Sequence, residues 1–233
     1  MAGTLPVVPN SPTSVDAFID PMCPFAYQTS LWLREVRDTA GLDVRWRFFS
    51  LEEINREPHQ PHPWERDWAW GFSQMRVGAM VRRQGQAAVD AWYAAVGRAF
   101  FVDERPTQDP DVHRHVLAEA GFDPDLLDAA LADPTTADEV RADHDEVVTA
   151  HGGHGVPTLV FDTGSVIFGP VVTPAPTGDE ARKLWDLVCL WGEVPNLYEI
   201  RKPKTRADLV HIGEQMAPYL RARSWQSVAK PAP

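Results

Sequence analysis

The chain has 233 residues, of which 44% are hydrophobic, with 9 Trp and 10 Phe among them; this suits one large packed core, or one domain carrying an insertion, and excludes a disordered chain except at the ends. A formal net charge of -11 argues against a surface for nucleic acid or anionic lipid, since both need clustered Lys and Arg, and favours a small-molecule partner. No apolar run nears the roughly 20 residues that span a bilayer, the N-terminus lacks the basic start and unbroken apolar stretch of a secretion signal, and two cysteines suit a reducing compartment, so a cytoplasmic protein is expected.

The first 13 or so residues hold three prolines and no periodicity, and read as a loose leader. Val15 to Asp20 then predicts a strand. After Cys23, Pro24 suits a first helical turn, and Phe25, Trp32, Leu33 and Val36 recur at helical spacing until Gly41 stops the helix. Asp43 to Ser50 alternates polar and apolar before Phe48-Phe49, as a strand with one buried face does. Residues 14–54 thus form a β-α-β unit whose strands a right-handed crossover makes parallel.

From 55 to 150 helical periodicity takes over, and the block reads as an inserted helical domain. Trp64, Trp68, Phe72 and Met75 trace one predicted helical stripe, and Trp92, Val96 and Phe100 another. Further helices are predicted to start at Asp109-Pro110, Asp123-Pro124 and Pro134-Thr135. Residues 151–195 return to Thr158-Leu159-Val160-Phe161, an Asp162-Thr163-Gly164 turn, and Ser165-Val166-Ile167-Phe168, a hairpin signal, followed by a helix from Gly178 to Trp191. The extension 196–233 looks extended and basic to Val210, with a closing helix over Ala207 to Ser224 and a frayed end at Pro231-Ala232-Pro233. The order β-α-β, helical insert, β-β-α predicts an α/β, thioredoxin-like fold interrupted by an inserted helical domain.

Cys23 stands at the strand-to-helix junction in Asp20-Pro21-Met22-Cys23-Pro24-Phe25-Ala26. Its sulfur is expected beside the unpaired amides of the first helical turn, where negative charge is favoured, so an exposed thiolate nucleophile is expected. The second cysteine of a Cys-X-X-Cys motif is absent, because that position is Ala26. In Gly155-Val156-Pro157-Thr158 the proline opens the third strand, where in this topology it faces the cysteine and is usually cis; it would turn the Val156 N–H and C=O toward an extended thiol ligand. Cys189 lies mid-helix, where a free cysteine is usually a small buried hydrophobe, and makes a poor resolving thiol. His151 and His154 sit two residues apart with no third ligand nearby, so no metal is expected; His154 could instead help hold a ligand near Val156-Pro157. His59 and His62 fall in a proline-marked loop. Trp64, Trp68 and Phe72 are candidates for the pocket wall that the insert turns toward the thiol. Arg82-Arg83 and Arg201-Lys202 read as solvated cations that could meet a carboxylate of a thiol ligand.

The two motifs above, with Phe168-Gly169-Pro170-Val171, the stretch Gly178 to Asp186 and Tyr198-Glu199-Ile200-Arg201, resemble the DsbA-like thioredoxin-fold proteins and, within them, the mycothiol-dependent nitroreductases. The similarity runs from about Val15 to Arg206 and is weakest in the insert. It implies a cytosolic enzyme whose cysteine exchanges with mycothiol, or another low-molecular-weight thiol such as glutathione, to deliver reducing equivalents to a small electrophile. Members of that group usually carry Cys-Pro-Trp-Cys; here Phe25 and Ala26 replace the last two residues. With no local resolving thiol the route left is monothiol: a mixed disulfide on Cys23, resolved by a second thiol molecule. Loss of the second cysteine also fits a thiol-dependent transferase or isomerase of the 2-hydroxychromene-2-carboxylate isomerase or kappa glutathione transferase type. A non-catalytic small-molecule binder is the third reading. The tryptophan-rich insert leaves room for a homodimer.

Overall fold

Strand β1 (Ser14–Ile19) is the hydrophobic spine of the molecule, and its end delivers the chain to the cysteine. In the computed structural model, which describes residues 11–228, it leads into α1 (Pro24–Ala40). Pro24 occupies the first helical turn, where its missing N–H costs nothing, and Gly41 ends the helix in the left-handed region at φ 69°, its N–H returning to Arg37 O. Strand β2 (Asp43–Phe48) buries alternate residues and pairs parallel to β1, Ser14 opposite Asp43 and Ile19 opposite Phe48. The predicted β-α-β unit is therefore present. Residues 1–10, which hold most of the expected leader, and the expected frayed end at 231–233 lie outside the described residues.

A helical block follows: α2 (Leu51–Ile54), a 3-10 turn (Pro63–Glu65), α3 (Trp70–Arg82), α4 (Gln86–Phe101), α5 (Pro110–Glu119), α6 (Leu126–Ala132) and α7 (Pro134–His151). Its start corrects the sequence reading. Trp64 and Trp68 do not share a helix with Phe72 and Met75, because α3 begins only at Trp70. The amides of Gly71 and Phe72 at its start are met by Glu52 Oε2 from α2, at 2.9 and 3.0 Å. That cap comes from a distant part of the chain, so nothing local in the sequence marks the boundary.

The chain returns to the sheet with β3 (Thr158–Phe161), antiparallel to β1, and β4 (Val166–Phe168), antiparallel to β3. The order is β2-β1-β3-β4. Helix α8 (Gly178–Gly192) packs on α1, and α9 (Arg206–Val228) closes the chain. One core runs from the sheet into the helical block: Trp46 meets Tyr93 at 5.5 Å between ring centroids, and Phe48 meets Trp92 edge-on at 6.2 Å. Asp143 of α7 joins three elements, accepting from Arg47 of β2 at 2.8 Å, from Arg82 of α3 at 2.5 Å and from the Phe48 N–H at 3.1 Å. Arg82 and Arg83, expected in solvent, are ion-paired to Asp143, Glu139 and Asp133. Arg201 is solvent-exposed as expected, with Glu199 as a surface partner.

Candidate active site

The turn Asp20-Pro21-Met22 converts the end of β1 into the start of α1. Asp20 O accepts the Cys23 N–H at 3.0 Å, while the Asp20 carboxyl accepts from Met22 N at 2.8 Å and from Leu51 N, the first residue of α2, at 2.9 Å. Cys23 thereby becomes the N-cap of α1, with φ -91° and ψ 113°. Its sulfur accepts from the Ala26 N–H at 3.4 Å and donates to Val156 O at 3.4 Å.

The sulfur is enclosed, which corrects the expectation of an exposed thiolate. Cys23 is 6% exposed, and burial pushes its thiol up to about 12, with the Asp20 charge acting in the same direction and the Ala26 amide against it. Loss of hydration outweighs one helix-terminal amide, and the proton has a use, since the S–H is what binds the Val156 carbonyl. Cys23 rests as a neutral thiol.

The facing loop is built by the end of α7 and the start of β3. Gly152 ends α7 in the left-handed region at φ 67°, and the Val156–Pro157 bond is cis. Thr158 Oγ1 donates to Gly155 O at 2.7 Å, and Pro157 O accepts from Gly169 N at 2.8 Å. Gly155 lies against Phe168, whose Cε2 would stand 3.1 Å from a Cβ there. His154 is exposed, its ring 4.7 Å from that of Phe168. With Val156 O taken by the thiol, the Val156 N–H has no acceptor among the described residues.

The other predicted site residues are placed as follows. Pro24 and Ala26 are buried in the first turn of α1, and Phe25 is half-buried against the core. Trp64 is stacked on His62 at 4.5 Å and carries the Arg141 guanidinium at 4.5 Å, so its ring is already engaged by protein groups. Trp68 donates to Gln108 O at 3.0 Å. Phe72 is fully buried. Met22, next to Cys23, forms a small apolar cluster with Phe100, against which Trp70, Phe101 and, from α9, Tyr219 pack. Gln74 joins them through its amide, 3.2 Å from Met22 Sδ.

Cys189 lines a shallow cleft of about 190 Å³ with Phe161, Thr163 and Ser165, beyond the end of β3 opposite to Val156. The five steps along the chain from Val156 to Phe161 span on the order of 16 Å in extended chain, and Cys189 belongs to a separate place. Burial pushes its thiol up to about 11. Among the described residues no group of three or more His, Cys, Asp or Glu is arranged for a metal ion, and no helix is long and apolar enough to cross a membrane.

Two groups escaped the sequence reading. Asp20 is 1% exposed and its carboxyl is pushed up to about 7 by burial, the Met22 and Leu51 amides opposing. A lone carboxylate ending an apolar strand, three residues before a cysteine, was the available signal. Tyr93 of α4 is fully buried with no hydrogen-bond partner for its hydroxyl among the described residues, and burial and Cys23 hold that hydroxyl well above its ordinary range; no local signal marks it, because its neighbours come from β2 and the turn.

A family model described as "Rv2466c-like: Mycothiol-dependent nitroreductase Rv2466c" matches residues 22–202. The chain is 50% identical over 216 residues to the uncharacterized protein Rv2286c of Mycobacterium tuberculosis, covering 93% of each. Among solved structures it is similar to a probable DsbA oxidoreductase from Streptomyces coelicolor, with TM-score 0.56, 24% identity and coverage of 80% of this chain and 93% of that one. It is also similar to the cytosolic disulfide reductase DsbM from Pseudomonas aeruginosa with GSH, with TM-score 0.54, 19% identity and coverage of 75% and 98%. A 2-hydroxychromene-2-carboxylate isomerase gives TM-score 0.57 at 16% identity, covering 77% and 95%. At these identities the solved structures speak for the fold, which is thioredoxin-like with a helical insertion.

Proposed function

Since this chain belongs to the Rv2466c-like family, described as mycothiol-dependent nitroreductase, we propose that it is a cytoplasmic thiol-dependent oxidoreductase in which Cys23 forms a mixed disulfide with a low-molecular-weight thiol, mycothiol before glutathione, and reduces a small electrophile. The observation that carries this reading is the meeting of the Cys23 sulfur, at the start of α1, with the backbone of Val156. The unanswered Val156 N–H, beside the sulfur and next to a cis-proline, suits a donor to the extended cysteinyl part of such a thiol. His154 and Phe168 flank that loop on the outside.

The chemistry balances without a second protein thiol. Cys23 and one thiol molecule together give two electrons and two protons to the electrophile, and the Cys23 sulfur becomes joined to the thiol sulfur. A second thiol molecule then attacks this disulfide, Cys23 leaves as the thiolate, and a disulfide of the small thiol departs. Two thiols are oxidised for each two-electron reduction. Cys23 has only to accept and release one S–S bond, with the Ala26 amide in place to stabilise the leaving sulfur.

Intact mass spectrometry tests this directly. After incubation with oxidised mycothiol, or with glutathione disulfide as surrogate, an adduct should form on Cys23, disappear with excess free thiol, and be lost in Cys23→Ser. If the folded protein acquires no adduct from either disulfide, the redox reading is overturned. Ala26 favours a second reading, a thiol-dependent transferase or isomerase, since a bound thiol that acts as nucleophile needs no resolving cysteine. That reading expects reduced thiol to bind without a covalent adduct.

A further inference from the structure

Among the buried groups that this chemistry leaves unused, Asp20 lies nearest to the sulfur along the chain. It is 1% exposed and makes no ion pair among the described residues; its partners are the Met22 and Leu51 amides. Glu52, beside Leu51, adds negative charge against it and is itself paired to Arg66 at 3.2 Å. Gly71 of α3 seals the space, since a Cβ there would stand 2.6 Å from Asp20 Oδ1. The backbone of Asp20 receives the Cys23 N–H, so the carboxyl and the thiol are side chains of one turn, and both residues are buried. Tyr93, buried in α4, feels the charge of both groups, and the Arg34 guanidinium lies 5.7 Å from its ring centroid.

A buried carboxylate without a cation is costly, and a second negative charge placed near it is more so. The two groups therefore compete for the right to ionise. We propose that Asp20 is a positioning residue for Cys23 that also controls the ionisation of its sulfur: a negative carboxylate keeps the proton on the thiol, and a neutral carboxyl lets the thiolate form more readily. The inference rests on Cys23 being the nucleophile. Asp20, pushed up to about 7, changes charge in the neutral range, while Cys23 carries the Asp20 charge among the causes that push it up. The same turn that places the sulfur thus holds a switch on its reactivity.

The experiment is the pH dependence of alkylation by iodoacetamide, followed at the Cys23 peptide by mass spectrometry. The reaction joins Sγ to carbon, releases iodide and gives the thiol proton to solvent. In the wild type the logarithm of the rate should climb with pH and flatten through about pH 7, where Asp20 becomes negative, before climbing again. In Asp20→Asn the inflection should vanish and the rate above it should rise about tenfold, the equivalent of one pKa unit. Infrared titration of the wild-type carboxyl gives a second readout should the variant not fold: a buried carboxyl still protonated at about pH 6 is expected. Identical rate profiles in wild type and folded Asp20→Asn, or a carboxyl titrating in the ordinary range near about 4, overturn the inference. Failure of Cys23 to react at any pH in the folded protein would overturn the nucleophile reading as well, so the two failures are told apart.

Discussion

Ala26 occupies the place of a resolving thiol, and its amide is the group that meets the Cys23 sulfur at 3.4 Å. Position 26 lies one helical turn beyond the cap, and its side chain is fully buried. Adding a single sulfur there costs about 1 kcal/mol of overpacking. Ala26→Cys should turn the mixed disulfide into a short-lived species: after exposure to glutathione disulfide, intact mass should report an internal disulfide in place of the adduct that the wild type keeps. An adduct equally long-lived in both proteins would show that residue 26 cannot reach the sulfur. The same residues show what a sequence can and cannot say about a thiol. The strand-end cysteine before a proline, and the missing partner, are legible as letters. The burial of Cys23 is not, because it is supplied by Val156 and the core, more than a hundred positions away in the chain.

At the level of elements, periodicity located most helices and strands, and local caps fixed their ends. Asp109 caps α5 through its side chain, and Asp133 caps α7; both follow rules readable from a few neighbouring residues. Helix α3 starts later than periodicity predicts, because Trp64, Trp68 and Phe72 imitate a helical stripe while the capping groups of α3 lie on α2. The tie formed by Asp143 is equally non-local. Removing it in Asp143→Ala leaves Arg47 and Arg82 without a common partner and deprives the Phe48 N–H of its acceptor. Breaking a buried pair from one side costs about 3–5 kcal/mol. Thermal unfolding should therefore begin well below the wild-type temperature, with β2 and α7 losing amide protection together in hydrogen exchange. An unchanged melting temperature would mean that the arginines find new partners at no loss.

For the molecule as a whole, two buried groups pull stability in opposite directions over the same range of pH. His113 is fully buried, with Nδ1 3.2 Å from Thr107 O, and burial pushes it down from 6.5 to about 4. Between those values the unfolded chain binds the proton that the folded one refuses, so the His113 contribution is complete above about 6.5 and is lost as pH falls through about 4. His144 acts in the same sense, since burial lowers it and its Nδ1 accepts from Ser50 N. Asp20 does the reverse. Raised from 3.8 to about 7, its carboxyl holds a proton in the fold that the unfolded chain has released; that contribution is complete below 3.8 and disappears as pH rises through about 7. Each proton of difference tilts the stability curve by about 1.4 kcal/mol per pH unit, and in the wild type the tilts largely cancel. Chemical denaturation across this range should separate them. His113→Phe should remove the acid-side loss and leave stability falling as pH rises, whereas Asp20→Asn should leave it falling as pH drops. A pair of variants with the same slope as the wild type would contradict the opposition. The expected pattern makes the acid beside Cys23 a cost to the folded state at neutral pH, borne at the turn that positions the thiol.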